Sequence, residues 1–281
     1  MHPILLKFGS FEIHTYGVIV FIGVIAGFFV CLRQARKEGI SREIFSDIFF
    51  WTLMFSFLGA RIVYLAVEFD SFLKNPFAML FSRSGFVFYG GIIFGFPALY
   101  FLTKKYPVSG NTPAVRRGMV AGRDVAPGGS SLKPARRGEF LKMLDILSVG
   151  MPLGHAIGRI GCFLEGCCYG RPADSFIGVM FPPDSAAGCS GVKVLPTQLI
   201  ESFFLFLIFF VILYLSKRKK ITGQLFSFYL VTYGILRFIV EFYRGDSRGS
   251  ISALSTSQFI SIFAIITGIF IFYRVKNKNR G

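Results

Sequence analysis

A chain of 281 residues that is 53% hydrophobic, 17% aromatic and only 16% charged, with a mean hydropathy of +0.59, is too apolar for a soluble domain. Its formal charge of +16 would suit a nucleic-acid binder. However, the basic residues fall in short clusters between apolar runs rather than on an aromatic face, which is the pattern of membrane topology and points to no nucleic acid.

The first fourteen residues, "MHPILLKFGSFEIH", lack a basic leader and a small-residue cleavage site, so the first span is expected to be kept. A bilayer core of about 30 Å takes about 20 apolar residues per helix. In chain order the spans are 13–32; 44–67, with Asp47 and Arg61; 84–103; 144 to about 163, with Asp145, His155, Arg159 and several glycines; 195–216, with Glu201; 222–243, with Arg237 and Glu241; and 249–273. The expected architecture is a single all-α polytopic membrane domain with about seven transmembrane helices.

Seven spans put the segments 33–43, 104–142, 217–220 and the C-terminal tail on one side, together with 21 of the 31 Lys and Arg residues. The excess of basic residues marks the cytoplasmic face, so the C-terminus is expected inside and the N-terminus outside. Residues 107–139 are rich in Gly, Pro, Ser and Arg and read as a flexible, basic cytoplasmic insertion. A solvated loop is the plain account of it, and contact with anionic lipid the alternative.

An ionisable group inside a span costs about 2.5–3.5 kcal/mol on insertion scales, so Arg61, Arg159, Arg237 and Glu241 mark candidate sites. Tyr233, Arg237, Glu241 and Arg244 recur at i, i+4, i+8 and i+11, one stripe of a helix. Arg237 and Glu241 could neutralise each other. Counting Arg159 and Arg61 leaves a surplus of guanidinium, which suits phosphate because the planar fork holds two oxygens at once. The glycines of "FVFYGGIIFG" and "GHAIGRIGCFLEG" fit close helix packing, or backbone opened beside a cavity. His14 and His155 read as packed residues rather than bases, Glu201 as a partner for polar groups between helices, and Asp47 and Asp145 as caps of their own spans.

Cys162, Cys167 and Cys168 show no C-x-x-C spacing and no nearby histidine, so a zinc site would need ligands from distant spans and no metal is expected. If their loop faces an oxidising compartment, Cys189 could bridge to Cys167 or Cys168. Ordinary packing accounts for Cys31 and Cys162.

"IHTYG", "GARIVY", "VFYGGIIFG", "LDILSVGMPLGHAIGRIGCFLEGCCYGR", "LPTQLIES" and "YGILRFIVEFYRGD" resemble, in order and spacing, the motifs of the prolipoprotein diacylglyceryl transferases. They cover nearly the whole chain outside 107–139. The resemblance implies a seven-span, multi-pass enzyme of the bacterial inner (plasma) membrane with a central lipid-binding cavity. It would move the diacylglyceryl group of phosphatidylglycerol, a membrane lipid, to the lipobox cysteine of a prolipoprotein signal peptide. A thioether forms, glycerol 1-phosphate leaves, and no cofactor is implied. Arg159 matches the family's phosphatidylglycerol contact and Arg237 its second critical arginine, with Glu241 one turn on and Tyr233 one turn before. Tyr16 matches the tyrosine of the first span and Gly170 the glycine closing the signature; Arg61 is a further candidate for substrate binding. Two positions depart from the pattern: Tyr89 stands where histidine is frequent, and Cys162 where asparagine is frequent. Tyr89 is thus expected to hydrogen-bond or position rather than act as base.

A transporter or channel for an anionic solute would also keep arginines in a membrane cavity. Such folds usually show interrupted helices in two related halves, whereas the glycine-rich interruptions here cluster mid-chain. A purely structural subunit would have no use for costly buried arginines.

Overall fold

A computed structural model of the chain describes residues 4–8, 11–80, 87–106, 137–183, 185–188, 191–246, 250–251 and 254–278. In chain order the elements are β1 (Ile4–Phe8), β2 (Phe11–His14), α1 (Thr15–Lys37), α2 (Arg42–Val67), α3 (Phe69–Lys74), α4 (Pro76–Leu80), α5 (Phe88–Lys105), α6 (Arg137–Glu165), α7 (Thr197–Ser216), α8 (Gln224–Glu241), β3 (Ser250–Ile251), β4 (Leu254–Ser255) and α9 (Thr256–Lys278). Both strand pairs are two-stranded and antiparallel. Each expected span contains one long helix. Five of these, α1, α2, α6, α7 and α9, are long and apolar enough to cross a membrane; α5 and α8 have 18 residues each.

Local chemistry moves the boundaries away from the hydropathy edges. Helix α9 starts at Thr256 rather than 249, because Ser255 and Gln258 form a reciprocal cap. The Gln258 N–H donates to Ser255 Oγ (3.2 Å) and the Ser255 N–H to Gln258 Oε1 (3.0 Å), satisfying two donors of the first turn. Helix α1 runs on to Lys37 and stops at Gly39, whose φ of 81° lets the N–H of Ile40 reach Ala35 O (3.0 Å) and its own N–H reach Arg36 O (3.1 Å). Helix α6 starts at Arg137, so residues 137–139 belong to a helix and not to the basic insertion. Residues 107–136 lie outside the described residues.

The chain forms two compact units, Met1–Cys31 with Leu144–Gly281, and Leu32–Met143. In the first, Gly23 and Gly27 of α1 face Gly154 and Gly150 of α6. A Cβ on Gly23 would lie 2.7 Å from Gly154 O, and one on Gly154 2.9 Å from Gly23 O. Only hydrogens allow the two backbones this approach; in lipid, where apolar burial gives little drive, close van der Waals contact replaces it. Beside that seam α6, α7 and α8 share a core of Val149, Ala156, Leu205, Ile212, Leu225 and Leu236. In the second unit, Gly90, Gly91 and Gly95 of α5 pack on Ser56, Gly59 and Ala60 of α2. The glycines of "FVFYGGIIFG" therefore make a helix contact.

Asp145 departs from the sequence reading. It caps α8, not its own helix: the fully buried carboxylate accepts from the N–H of Gly223 (2.6 Å) and of Phe226 (2.9 Å), with Lys219 Nζ 3.2 Å away. It thus satisfies two of the four orphan donors of α8 and neutralises a lysine. Asp145→Ala removes the acceptor of both N–H groups and a buried charge beside Lys219, and is expected to destabilise the protein by about 3 kcal/mol, read as a lowered Tm in detergent. An unchanged Tm would show that the cap contributes nothing.

Candidate active site

The charges expected inside spans converge in the first unit. Arg159 stands one turn beyond His155 on α6. Its Nη2 donates to Glu201 Oε1 of α7 at 2.8 Å, with the glutamate side chain only 1% exposed. His155 Nε2 lies 3.9 Å from the same oxygen, and its ring meets Tyr233 of α8 edge-on at 5.1 Å. Tyr233 in turn stacks on Tyr229 at 5.7 Å. One turn on, Arg237 donates to Ser257 Oγ at the start of α9 (3.0 Å) and lies 2.5 Å from Glu241 Oε2. Glu201 and His155 are within electrostatic reach of both arginines, so Arg159 and Arg237 belong to one cluster.

The expected surplus of guanidinium is corrected here. Arg159 has Glu201, Arg237 has Glu241, and Arg61, in the second unit, donates to the carbonyls of Met79 and Leu80 and lies over the Tyr64 ring. Charge is balanced, but hydrogen bonding is not. Among the described residues, Arg159 Nε and Arg237 Nη1 are buried donors without a protein acceptor, and Glu241 Oε2, although close to Arg237, receives no aligned hydrogen bond. Buried N–H groups are rarely left so. Two guanidinium donors needing acceptors in one buried cluster suit the oxygens of a phosphate.

The remaining sequence candidates fall in different places. Tyr16, 41% exposed, opens α1 within electrostatic reach of Arg159 and of the three neighbouring thiols. Gly170 is a packing position: a Cβ there would lie 2.7 Å from Leu195 Cβ and 2.8 Å from Thr197 Cγ2, while its N–H donates to Leu195 O (2.9 Å). Tyr89 is the second residue of α5, in the second unit, and is 37% exposed. Arg244 leaves the helical stripe because α8 ends at Glu241. It makes a two-pronged pair with Asp246 at 2.7 and 2.6 Å. Three participants had no local signal: Ser257, Glu201 as the partner of Arg159 42 residues away, and an apolar groove of about 600 Å³ between α7 and α8. Ile200, Phe204, Leu207, Ile235, Ile239 and Val240 are among its lining residues.

The cysteines also differ from expectation. The Sγ atoms of Cys162, Cys167 and Cys168 lie within 4.8 Å of one another, so one local turn gathers three metal-ligating atoms without any distant span. Hydrogen bonds from the thiols of Cys162 and Cys167, and then from Arg244, hold the Cys168 thiol below the ordinary thiol range. The bridge expected from Cys189 involves a residue outside the described ones.

The family model for prolipoprotein diacylglyceryl transferase matches residues 3–123 and 130–274. Between the two matched segments, residues 124–129 are unmatched. Curated relatives named phosphatidylglycerol–prolipoprotein diacylglyceryl transferase are similar over nearly their whole length. The Clostridium tetani protein is 35% identical over 97% of this chain and 97% of its own. That of Finegoldia magna is 37% identical over 95% and 93%, and one from Clostridium perfringens 32% identical over 100% and 98%.

Proposed function

Because this chain belongs to the prolipoprotein diacylglyceryl transferase family, we infer that it is a multi-pass membrane transferase moving the diacylglyceryl group of phosphatidylglycerol to a prolipoprotein. The acceptor is the thiol of the lipobox cysteine, and glycerol 1-phosphate leaves. The enzyme sits in the bacterial inner membrane with seven spans, its N-terminus periplasmic and its C-terminus cytoplasmic. The transporter alternative is not favoured, since full-length relatives carry a transferase name.

The observation that carries the site assignment is the pair of buried donors on Arg159 and Arg237. The phosphodiester of the lipid accepts from both. As the acceptor thiolate attacks the glyceryl carbon, the C–O bond breaks and the phosphate goes from one negative charge toward two. Guanidinium already in place then binds the transition state better than the ground state. Glu241 takes the thiol proton and returns it to the departing phosphate. Tyr233 and Tyr16 border the headgroup, and the groove between α7 and α8, on the neighbouring face of the helices that carry Glu201 and Arg237, takes acyl chain.

Purified protein given labelled phosphatidylglycerol and a lipobox peptide is expected to form a thioether-linked diacylglyceryl peptide. If no product forms, and Arg159→Ala matches the parent, this reading is wrong. The same assay tests Tyr89. An unchanged rate in Tyr89→Phe would remove its hydroxyl from the chemistry.

A further inference from the structure

The three thiols do not meet by chance of helix packing. Cys162 lies in the last turn of α6, and the chain then reverses through Gly166 (φ 73°) and Cys168 (φ 63°). Cys168 is the only described non-glycine residue with a positive φ, a conformation that L side chains avoid and that folds tend to retain at working sites. The turn is held from the start of α7, where Gln198 Nε2 donates to Cys167 O (2.6 Å) and Thr197 Oγ1 to Cys168 O (3.0 Å). The Cys167 N–H reaches back to Cys162 O at 3.1 Å. Cys162 is buried, and Cys167 and Cys168 are half-buried.

A metal–thiolate bond of about 2.3 Å places sulfurs about 3.8 Å apart around one ion, inside the 4.8 Å within which these three already lie. Sulfur donors exclude magnesium and calcium and select thiophilic ions. Three thiolates around a divalent ion carry one net negative charge. Here Arg244 donates to the Cys168 sulfur, and Arg159 is within electrostatic reach of Cys162 and Cys168. Three protein ligands leave a fourth position, the arrangement of zinc sites that bind a reactant rather than only brace a fold.

We propose that Cys162, Cys167 and Cys168 hold one thiophilic divalent cation of the zinc class, whose fourth position takes the acceptor cysteine of the prolipoprotein; this second part rests on the transferase reading. A thiol bound to such an ion loses its proton, which answers the need for a thiolate at neutral pH. The proton passes to Glu241. The bound sulfur forms a bond to the glyceryl carbon as the bond from that carbon to the phosphate oxygen breaks. The electron pair leaves with the phosphate, which carries off the proton. The product thioether is a weak ligand and departs, and no oxidation state changes.

Full-length protein in detergent, reduced, stripped with a chelator and titrated with Co²⁺, is expected to bind one equivalent. It should show sulfur-to-cobalt charge-transfer absorption that Zn²⁺ abolishes. Cys31→Ala should keep the signal and Cys167→Ser should lose it, with Cys168→Ala used if Cys167→Ser does not elute as a folded species. A lipobox peptide should shift the visible bands, and its Cys→Ser version should not. Absence of stoichiometric Co²⁺ binding, a signal surviving in the cluster variants, or a disulfide among the three cysteines in the protein as isolated would each overturn the metal site. Thioether formation lost on chelation and restored by Zn²⁺ supports the role at the acceptor thiol; a full rate in metal-free protein overturns that role. Protein that binds Co²⁺ as described, but makes no thioether under any metal condition, would overturn the transferase reading and leave the ion site standing.

Discussion

Arg159→Ala is expected to lower kcat/KM for diacylglyceryl transfer about 10³-fold, the scale of losing a donor aimed at developing negative charge in a site shielded from water. The Nε of this arginine is buried without a protein acceptor, while its Nη2 is committed to Glu201. One edge of the fork therefore anchors the side chain and the other remains to bind. Arg159→Lys keeps the charge but presents a single ammonium that cannot do both, so a deficit above about 10-fold should remain. Removing the arginine alone also strands a glutamate that is 1% exposed, at a cost of about 3–5 kcal/mol, and a dead variant could simply be an unfolded one. The double variant Arg159→Gln with Glu201→Gln removes both charges together and should recover most of the parent Tm without recovering transfer. Parent-like turnover in the folded double variant would remove Arg159 from phosphate recognition.

Arg237→Ala should cost about 10²–10³-fold by the same mechanism, but its neighbours give a different diagnostic. Arg237 is oriented by Ser257 Oγ at 3.0 Å and lies against Glu241 at 2.5 Å. Ser257→Ala, which leaves the guanidinium in place but less constrained, should therefore lose about 5–10-fold, the value of one hydrogen bond to a charged group. Its deficit should vanish when Arg237 is already absent. Additive losses in that cycle would mean that Ser257 acts on α9 packing and not through Arg237.

These effects were unequally visible in the sequence. Hydropathy located the long helices, because a bilayer requires apolar length and little else competes with that signal. Arg159, Arg237 and Glu241 stood out for the converse reason, as charges where charge is costly. The stripe on α8 was readable to Glu241 and failed at Arg244, since the chain turns there to bring Gly245 against Gly170, with no room for a Cβ between them. The partnership of Arg159 with Glu201, and that of Arg237 with Ser257, joins residues on different helices and has no periodicity to reveal it. The gathering of Cys162, Cys167 and Cys168 was hidden because the spacing alone suits no familiar metal knuckle. It is made by two left-handed residues, and a left-handed φ at Cys168 is not something composition announces. Charge counting points to an arginine excess because Glu201, although read as a partner for polar groups between helices, cannot be assigned to Arg159 from spacing.

The cap that Asp145 places on α8 has a bearing on how the protein is made. The first N–H groups of α8 need an acceptor, and for two of them it is a carboxylate synthesised 78 and 81 residues earlier. The cap is therefore complete only once α8 has been made. Two half-finished surfaces of opposite need complete each other only late in synthesis.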